Sequence, residues 1–331
     1  MSRRLSFVLS TALLATAVAA TPAHADTTIT DLGGLPGAQS HWAASVNDAG
    51  VAVGVAFNGS GRDRAVRFDG NGTATQLAGP ADASTTVNEV NNHGAAVGTT
   101  SGGSVGGTRA IRFKPDGTYA VLSVPFGFTT STGLAITDSG TAYGLASDAD
   151  RRQIPVRWRP DGVLMTMKMP EGATWAYVTR AAANGYVAGY VSGPGIPFLA
   201  VRWNPDGSVT KLARMADGAA TTAQGVNQLG EVVGNANSAN DQETFGVRWN
   251  LDGSLTSYGK DSLPKSINDR GVVVGSYYGG AEQHPFRWEK NGDKLELGRP
   301  DGVTNATALD INNDGVIVGR AGSSAVKWVV S

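Results

Sequence analysis

Short apolar runs alternate with turn-forming residues along most of the chain. The most regular run ends in glycine, and it recurs at Gly54, Gly98, Gly144, Gly189, Gly234, Gly275 and Gly319. The intervals between these glycines are 44, 46, 45, 45, 41 and 44 residues. A second run, of the form Val-Arg-Trp, follows each first run and places a basic residue at Arg67, Arg112, Arg157, Arg202, Arg248, Arg287 and Lys327. The chain therefore contains seven copies of one unit.

Each unit holds four short runs of β type, which we name strands a to d. Strand a ends in Val-Asn or Ile-Asn and is followed by a turn such as NDAG or NNDG. Strand b is the run that ends in glycine, and strand c is the Val-Arg-Trp run. A Pro-Asp-Gly type turn then leads to strand d. Because the turns are close together and no helical period lies between them, the pattern predicts antiparallel hairpins throughout.

Four antiparallel strands repeated every 41 to 46 residues are typical of a β-propeller blade. The last unit has strands a, b and c but no strand d, whereas residues 27–33 form a strand d with no preceding a, b or c. The sequence thus predicts an all-β, seven-bladed propeller of four-stranded blades, closed by the N-terminal strand in the last blade. Glycine weakens a strand interior, so its recurrence in strand b predicts a bulge or a close backbone approach there.

The first 25 residues have the composition of a secretory signal peptide. Arg3 and Arg4 precede an apolar stretch, and Ala23-His24-Ala25 is a cleavage site before Asp26. We therefore expect a single propeller domain over residues 26–331 and a secreted, extracellular location. No other apolar run is long enough to predict a membrane span.

Charge and cysteine content narrow the function classes. The formal charge of -1 becomes about -3 once Arg3 and Arg4 are removed, which argues against nucleic acid as a partner. The chain has no cysteine, so disulfides, thiolate catalysis and cysteine-zinc sites are excluded. We expect a monomer.

One segment resembles a known family of secreted bacterial repeats. The segment reads Asp-Leu-Gly-Gly-Leu-Pro-Gly over residues 31–37, followed by Ser40, Ala44, Val46, Asn47, Gly50 and Gly54. It is similar to the HAF repeat, which is named for a His-Ala-Phe triplet in strand c, and the nearest triplet here is His284-Pro285-Phe286. The resemblance extends over the whole of residues 26–331. It implies an extracellular, propeller-like protein and no particular activity.

Strand direction alternates, so the a–b and c–d turns lie on one face of the ring, which we name the turn face. The b–c and d–a connections lie on the other, the loop face. The connections of the loop face vary most, as in 100–109, 147–154 and 277–284. Since variable loops on a rigid scaffold commonly carry binding groups, we predict that the ligand binds at the loop face.

The candidate ligand-binding residues are basic and aromatic. Five loop arginines could form a cationic patch that binds a carboxylate or sulfate, or they could be ordinary solvated loop charges. They are Arg62, Arg64, Arg109, Arg151 and Arg152. Trp42 and Trp175 stand just before strand a, where they could stack on a sugar or a base, or pack between blades. The repeated arginines of strand c occur in every unit but the last, which has lysine, so a structural role between blades is predicted for them.

The candidate catalytic residues are His284, Tyr277, Tyr278 and His41, which could act as an acid–base set beside an arginine or could be ordinary loop residues. No metal site or cofactor is predicted. Asp310, Asn312 and Asp314 match only the start of a calcium loop, because Ala321 stands where a bidentate glutamate belongs.

Three functions remain open from the sequence. The first is a secreted binding or scaffold protein that recognises a carbohydrate or a protein at the loop face. The second is a polysaccharide lyase or another glycan-active enzyme that uses the histidine and tyrosine residues with an arginine. The third is a secreted proteinaceous inhibitor, which requires a flat loop face.

Overall fold

The structure, a computed structural model, describes residues 26–59, 62–70, 72–215, 219–240 and 242–331. The predicted signal peptide lies outside this range. Within it, all strands belong to seven four-stranded antiparallel sheets arranged as a ring, and the regular helical structure is one 3-10 turn at Gly103–Val105. None of the described helices is long and apolar enough to cross a membrane.

The blades follow the sequence units, with strand a innermost. Blade 1 comprises β2 (Ser40–Val46), β3 (Ala52–Phe57), β4 (Arg64–Phe68) and β5 (Ala74–Gln76). Blade 2 comprises β6 (Ser84–Val90), β7 (Ala96–Ser101), β8 (Thr108–Phe113) and β9 (Tyr119–Val121). Blade 3 comprises β10 (Thr130–Ile136), β11 (Ala142–Ser147), β12 (Gln153–Trp158) and β13 (Leu164–Thr166). Blade 4 comprises β14 (Trp175–Ala181), β15 (Val187–Gly193), β16 (Ile196–Trp203) and β17 (Val209–Lys211).

The remaining blades have the same order. Blade 5 comprises β18 (Thr221–Val226), β19 (Val232–Asn237), β20 (Thr244–Trp249) and β21 (Leu255–Lys260). Blade 6 comprises β22 (Ser262–Ile267), β23 (Val273–Gly279), β24 (Glu282–Trp288) and β25 (Lys294–Glu296). Blade 7 comprises β26 (Ala306–Ile311), β27 (Ile317–Ala321), β28 (Ser324–Val330) and β1 (Thr27–Asp31).

The predicted closure of the ring is confirmed. Strand β1 pairs antiparallel with β28, from Thr27 opposite Val330 to Asp31 opposite Val326. Leu32, directly after β1, is almost fully buried between blades 7 and 1. The N-terminal strand therefore occupies the position of strand d in the last blade.

The strand-b glycines fill a position that no side chain can occupy. In every blade the pairing of strands a and b shifts by one residue at a β-bulge, as between Ala43 and Ser45. The bulge brings a strand-a carbonyl against the glycine, so a Cβ added at Gly54 would overlap the carbonyl oxygen of Trp42, and the other six glycines meet the same obstacle. The predicted close backbone approach is thus confirmed.

Aromatic residues at the end of strand c form much of the core between blades. All are buried: Phe68, Phe113, Trp158, Trp203, Trp249, Trp288 and Trp328. Four of the indoles also donate to a carbonyl of the preceding blade, as Trp158 Nε1 does to the Ser123 oxygen at 2.8 Å. Three of the strand-c arginines donate to a carbonyl of the next blade, as Arg112 does to the Trp158 carbonyl at 3.0 Å. These contacts support the structural role predicted for the repeated arginines.

Candidate functional site

Three of the predicted ligand-binding residues come together at the loop face. Arg151 and Arg152, from the b–c loop of blade 3, and Trp175, the first residue of blade 4, line one cleft of about 470 Å³. We name it the rim cleft, and its full lining is Asp150, Arg151, Arg152, Ile154, Met169, Ala173, Thr174 and Trp175. Its size and its mixture of apolar walls with a few charged groups are typical of small-molecule sites.

A compact turn holds the two arginines. Asp148 accepts from the backbone nitrogens of Asp150 at 3.0 Å and Arg152 at 2.9 Å, and its carbonyl accepts from the Arg151 nitrogen at 3.2 Å. Arg151 has a φ of 64°, in the left-handed region that glycine occupies at little cost. The chain therefore keeps a large cationic side chain at a position where its backbone would be more stable as glycine, which is a common feature of functional sites.

Other aromatic rings support Trp175 from behind. The centroid of its ring lies 6.1 Å from Tyr177, 5.8 Å from Tyr190 and 5.8 Å from Phe198. Tyr177 and Tyr190 stack on each other at 5.5 Å. A ring that is held in this way loses little conformational freedom when a ligand stacks on it, so Trp175 is a preorganised wall of the rim cleft.

The other predicted arginines lie outside the rim cleft. Arg64 donates to the carbonyl of Ala83 at 2.8 Å, and Arg109 donates to that of Thr129 at 2.7 Å. Each therefore joins its own blade to the first residues of the next. Arg62 is exposed in the b–c loop of blade 1. Trp42 is half-buried in the same blade, three blades away from Trp175 along the ring.

Two of the predicted catalytic residues meet at a carboxylate in blade 6. His284 Nδ1 lies 2.8 Å from Glu296 Oε1, and Tyr277 Oη donates to Glu296 Oε2 at 2.8 Å. The imidazole and phenol rings stack at 5.0 Å. Arg299 is near this group and binds Glu282 at 2.9 Å. The structure thus brings together the histidine, one tyrosine and an arginine.

The protonation of this cluster limits what it can do as a base. Burial, together with the hydrogen bond to Glu296, raises the pKa of Tyr277, so the phenol stays protonated. Burial alone would raise the pKa of Glu296, but the hydrogen bonds from His284 and Tyr277 outweigh it and hold that pKa below its ordinary value. Tyr277 is therefore a donor rather than a proton acceptor.

The two other predicted catalytic residues lie elsewhere. Tyr278 follows Tyr277 in β23, so it points to the opposite face of the sheet, where it is half exposed. His41 lies in blade 1, with blade 7 between it and blade 6. Burial lowers the pKa of His41 despite Asp31 nearby, so the imidazole is neutral. These residues do not form one acid–base set.

The ring axis carries a buried group of three ionisable side chains. Arg180 of blade 4 lies 3.0 Å from Asp310 of blade 7 and 3.9 Å from Glu89 of blade 2. Asp310 also accepts from Ser266 Oγ at 2.7 Å and from the Val46 nitrogen at 2.9 Å, while Glu89 accepts from the Ile136 nitrogen at 2.8 Å. We name these three side chains the axial triad. Burial raises the pKa of Glu89 to about 8, although Arg180 opposes the shift.

The axial triad separates two cavities on the ring axis, because Arg180 lines both. The smaller cavity, about 100 Å³, opens among the Asn-x-x-Gly turns of the turn face. There the asparagines at the end of strand a form hydrogen bonds between neighbouring blades. Asn312 Nδ2 donates to the Asn47 carbonyl at 2.9 Å, and Asn47 Nδ2 donates to the Asn91 carbonyl at 2.9 Å. The larger, about 390 Å³, opens toward the loop face, and we name it the loop-face funnel.

The calcium-like segment has other partners. Asp310 belongs to the axial triad, Asn312 Oδ1 accepts from the nitrogens of Asp314 and Val316 at 3.1 and 2.8 Å, and the Asp314 carboxylate faces Arg270 at 3.9 Å. In the part of the chain that the structure describes, no group of three or more His, Cys, Asp and Glu side chains is placed to hold a metal ion.

Comparison with known proteins identifies the fold. No protein-family model matches the chain, and no curated protein sequence matches it. Among solved structures, a streptogramin B lyase has a TM-score of 0.61 at 10% identity, covering 92% of this chain and 98% of that one. Virginiamycin B lyase from Staphylococcus aureus has a TM-score of 0.58 at 10% identity, over 92% and 100%. The propeller domain of the Trilobed protease from Pyrococcus furiosus has a TM-score of 0.58 at 9% identity, covering 88% of this chain and 94% of that one. At such identities the likeness shows the propeller fold alone.

The axial triad is not evident in any single repeat, although the aligned repeats contain a signal for it. The residue just after the strand-a bulge in blades 1 to 7 is Ser45, Glu89, Ala135, Arg180, Gly225, Ser266 and Asp310. Three charged residues at a position that is otherwise small point to a contact made across the ring. The signal is visible only when the repeats are aligned on the bulge.

Proposed function

We propose that this protein is a secreted propeller that binds an acidic carbohydrate in the rim cleft. The observation that carries the proposal is the convergence of Arg151, Arg152 and Trp175 on one cleft. An indole can stack on the apolar face of a sugar ring, while guanidinium groups bind a carboxylate or sulfate through paired hydrogen bonds. Secretion is proposed from the N-terminal 25 residues, and membership of the HAF family from residues 31–54.

The electrostatics of the cleft favour an anionic ligand. Arg151 and Arg152 face a single lining carboxylate, that of Asp150, so the cleft has an excess of positive charge. The Arg152 guanidinium also lies 5.9 Å from the centre of the Phe128 ring, in the connection between blades 2 and 3, where a cation–π contact holds it. A neutral sugar of the same shape would offer these guanidinium groups no anionic partner.

The loop face does not favour the inhibitor alternative. An inhibitor that covers its target needs a flat contact surface, whereas this face contains both the rim cleft and the loop-face funnel, with volumes of about 470 and 390 Å³. Concave sites of this size accept a small ligand or the end of a chain rather than a broad protein surface.

Binding is expected to depend on the rim cleft as follows. Trp175→Ala removes the stacking wall and should weaken binding of an acidic oligosaccharide about 10- to 100-fold. Arg151→Gly should weaken it about 10-fold and leave thermal stability unchanged or slightly higher, because glycine accepts a φ of 64° without strain. Isothermal titration with oligogalacturonates, sulfated oligosaccharides and their neutral counterparts measures both effects.

Arg159→Gly is the matched control, since Arg159 belongs to the same blade but lies on a c–d turn at the opposite face. Equal affinity of the Arg151→Gly and native proteins, or equal binding of neutral and acidic sugars, would contradict the proposal.

Elimination chemistry is a second candidate because His284, Tyr277 and Glu296 converge in blade 6. The two activities are separated by following the absorbance of newly formed unsaturated uronates during incubation with acidic polysaccharides. The binding proposal expects no rise in absorbance on any substrate that binds. A rise that disappears in His284→Ala would assign a lyase reaction to blade 6 instead.

A further inference from the structure

The loop-face funnel collects one residue from the bulge of each blade. These residues are Ala44, Asn88, Leu134, Thr179, Gln224, Lys265 and Leu309, and Tyr177, Val178 and Arg180 complete the lining. Four of the seven bulge residues are polar or charged, namely Asn88, Thr179, Gln224 and Lys265. Their side chains converge because every bulge turns one strand-a residue toward the axis.

Two polar groups in the funnel lack a partner. The Thr179 hydroxyl is buried and makes no hydrogen bond within the described part of the chain. Lys265 is partly buried, and its ammonium has no hydrogen bond or ion pair with any described residue. Desolvation lowers the pKa of Lys265. A desolvated ammonium and a free hydroxyl are costly unless a ligand satisfies them.

The charges around the funnel leave it positive. Arg180 is balanced by Asp310 at 3.0 Å. Glu89, on the far side of Arg180, has a pKa of about 8 because it is buried, so at neutral pH it is mostly protonated and adds little negative charge. Among the residues that line the funnel, Lys265 is then the unbalanced charge, and the ligand that would balance it is a monovalent anion.

We propose that the loop-face funnel is an anion subsite that binds one carboxylate through Lys265, with Thr179 and Gln224 as hydrogen-bonding neighbours. The inference rests on the proposed function and extends it to a second position of the same ligand. Strand β14 links the two sites, because Trp175 lines the rim cleft, Tyr177 lines the funnel, and their rings stack at 6.1 Å. A polyuronate has a carboxylate on each sugar, so one chain can supply an anion to both sites.

The test uses D-galacturonate, which is too short to span both sites, with its methyl ester as the neutral analogue. Native protein is expected to bind galacturonate and not the ester. Compared in an Arg151→Gly background, which weakens the rim cleft, Lys265→Met should reduce galacturonate affinity at least 10-fold and, by removing an unpartnered buried ammonium, raise the melting temperature. Lys211→Met, at an exposed position in β17, is the matched control and should change neither the galacturonate affinity nor the melting temperature. Titration calorimetry and thermal melts provide the two readouts.

The outcomes separate the two proposals. If Lys265→Met binds galacturonate as the native protein does, or if the ester binds equally, or if the native protein binds no galacturonate, the funnel proposal is overturned. If Trp175→Ala and Arg151→Gly leave oligogalacturonate binding intact while Lys265→Met weakens it, the rim-cleft proposal fails and the funnel proposal stands. If only the rim-cleft variants weaken oligosaccharide binding, the reverse holds.

Discussion

Arg180→Met is expected to lower the free energy of unfolding by about 3–5 kcal/mol, because it leaves the buried Asp310 carboxylate without its cation. Arg180 lies 3.0 Å from Asp310 and 3.9 Å from Glu89, and its Nη2 also donates to the Leu309 carbonyl at 3.1 Å. Methionine retains the unbranched apolar part of the side chain, so the loss reflects mainly charge and hydrogen bonds. Urea denaturation followed by tryptophan fluorescence measures the change.

Arg159→Met is the control for this prediction. Arg159 pairs with Asp161 at 3.0 Å, but both side chains are about half exposed, at 55% and 50%. An exposed pair of this kind contributes less than about 1 kcal/mol. If Arg180→Met cost no more than Arg159→Met, the axial triad would not be an important contributor to the stability of the ring.

The second large effect is a pH dependence that arises from Glu89. Its ordinary pKa of 4.5 is raised to about 8 in the folded state by burial. The folded protein therefore keeps a proton that the unfolded chain loses. The stabilisation that comes from protonated Glu89 is complete below pH 4.5 and is lost as pH rises from 4.5 through 8. The slope in this window is at most about 1.4 kcal/mol per pH unit.

Glu89→Gln should flatten that slope, since glutamine cannot ionise and still accepts from the Ile136 nitrogen. The variant is expected to gain stability relative to the native protein as pH rises from 5 to 9. Urea midpoints at intervals of one pH unit provide the measurement. Glu243→Gln is the control, because Glu243 is an exposed partner of Lys260. An unchanged slope in Glu89→Gln would show that another group controls the pH response.

Both expected effects concern interactions that stabilise the centre of the ring. The closing strand joins the first and last blades at the outside, where β1 pairs with β28. The axial triad joins blades 2, 4 and 7 across the middle. Because Arg180 lies between the two axial cavities, the same group that stabilises the ring also closes the floor of the loop-face funnel.

Much of the fold could be predicted from the sequence because each determinant is local and repeated. The glycine of strand b, the Asn-x-x-Gly turn and the aromatic end of strand c recur in register, so each copy supports the assignment of the others. The candidate site is different. Arg151 and Trp175 are 24 residues apart, and which of the five predicted arginines approaches an indole depends on loop conformation.

The sequence by itself determined the seven blades, the position of the closing strand and the need for glycine at each bulge, since hairpins, turns and strand periodicity arise from neighbouring residues. Only the tertiary structure decided that Arg151, Arg152 and Trp175 share a cleft, that His41 and Tyr278 lie apart from His284, and that Glu89, Arg180 and Asp310 meet on the axis. The physical reason is that closure brings together residues as far apart as 89 and 310, and their distances depend on the packing of all the blades rather than on any one of them.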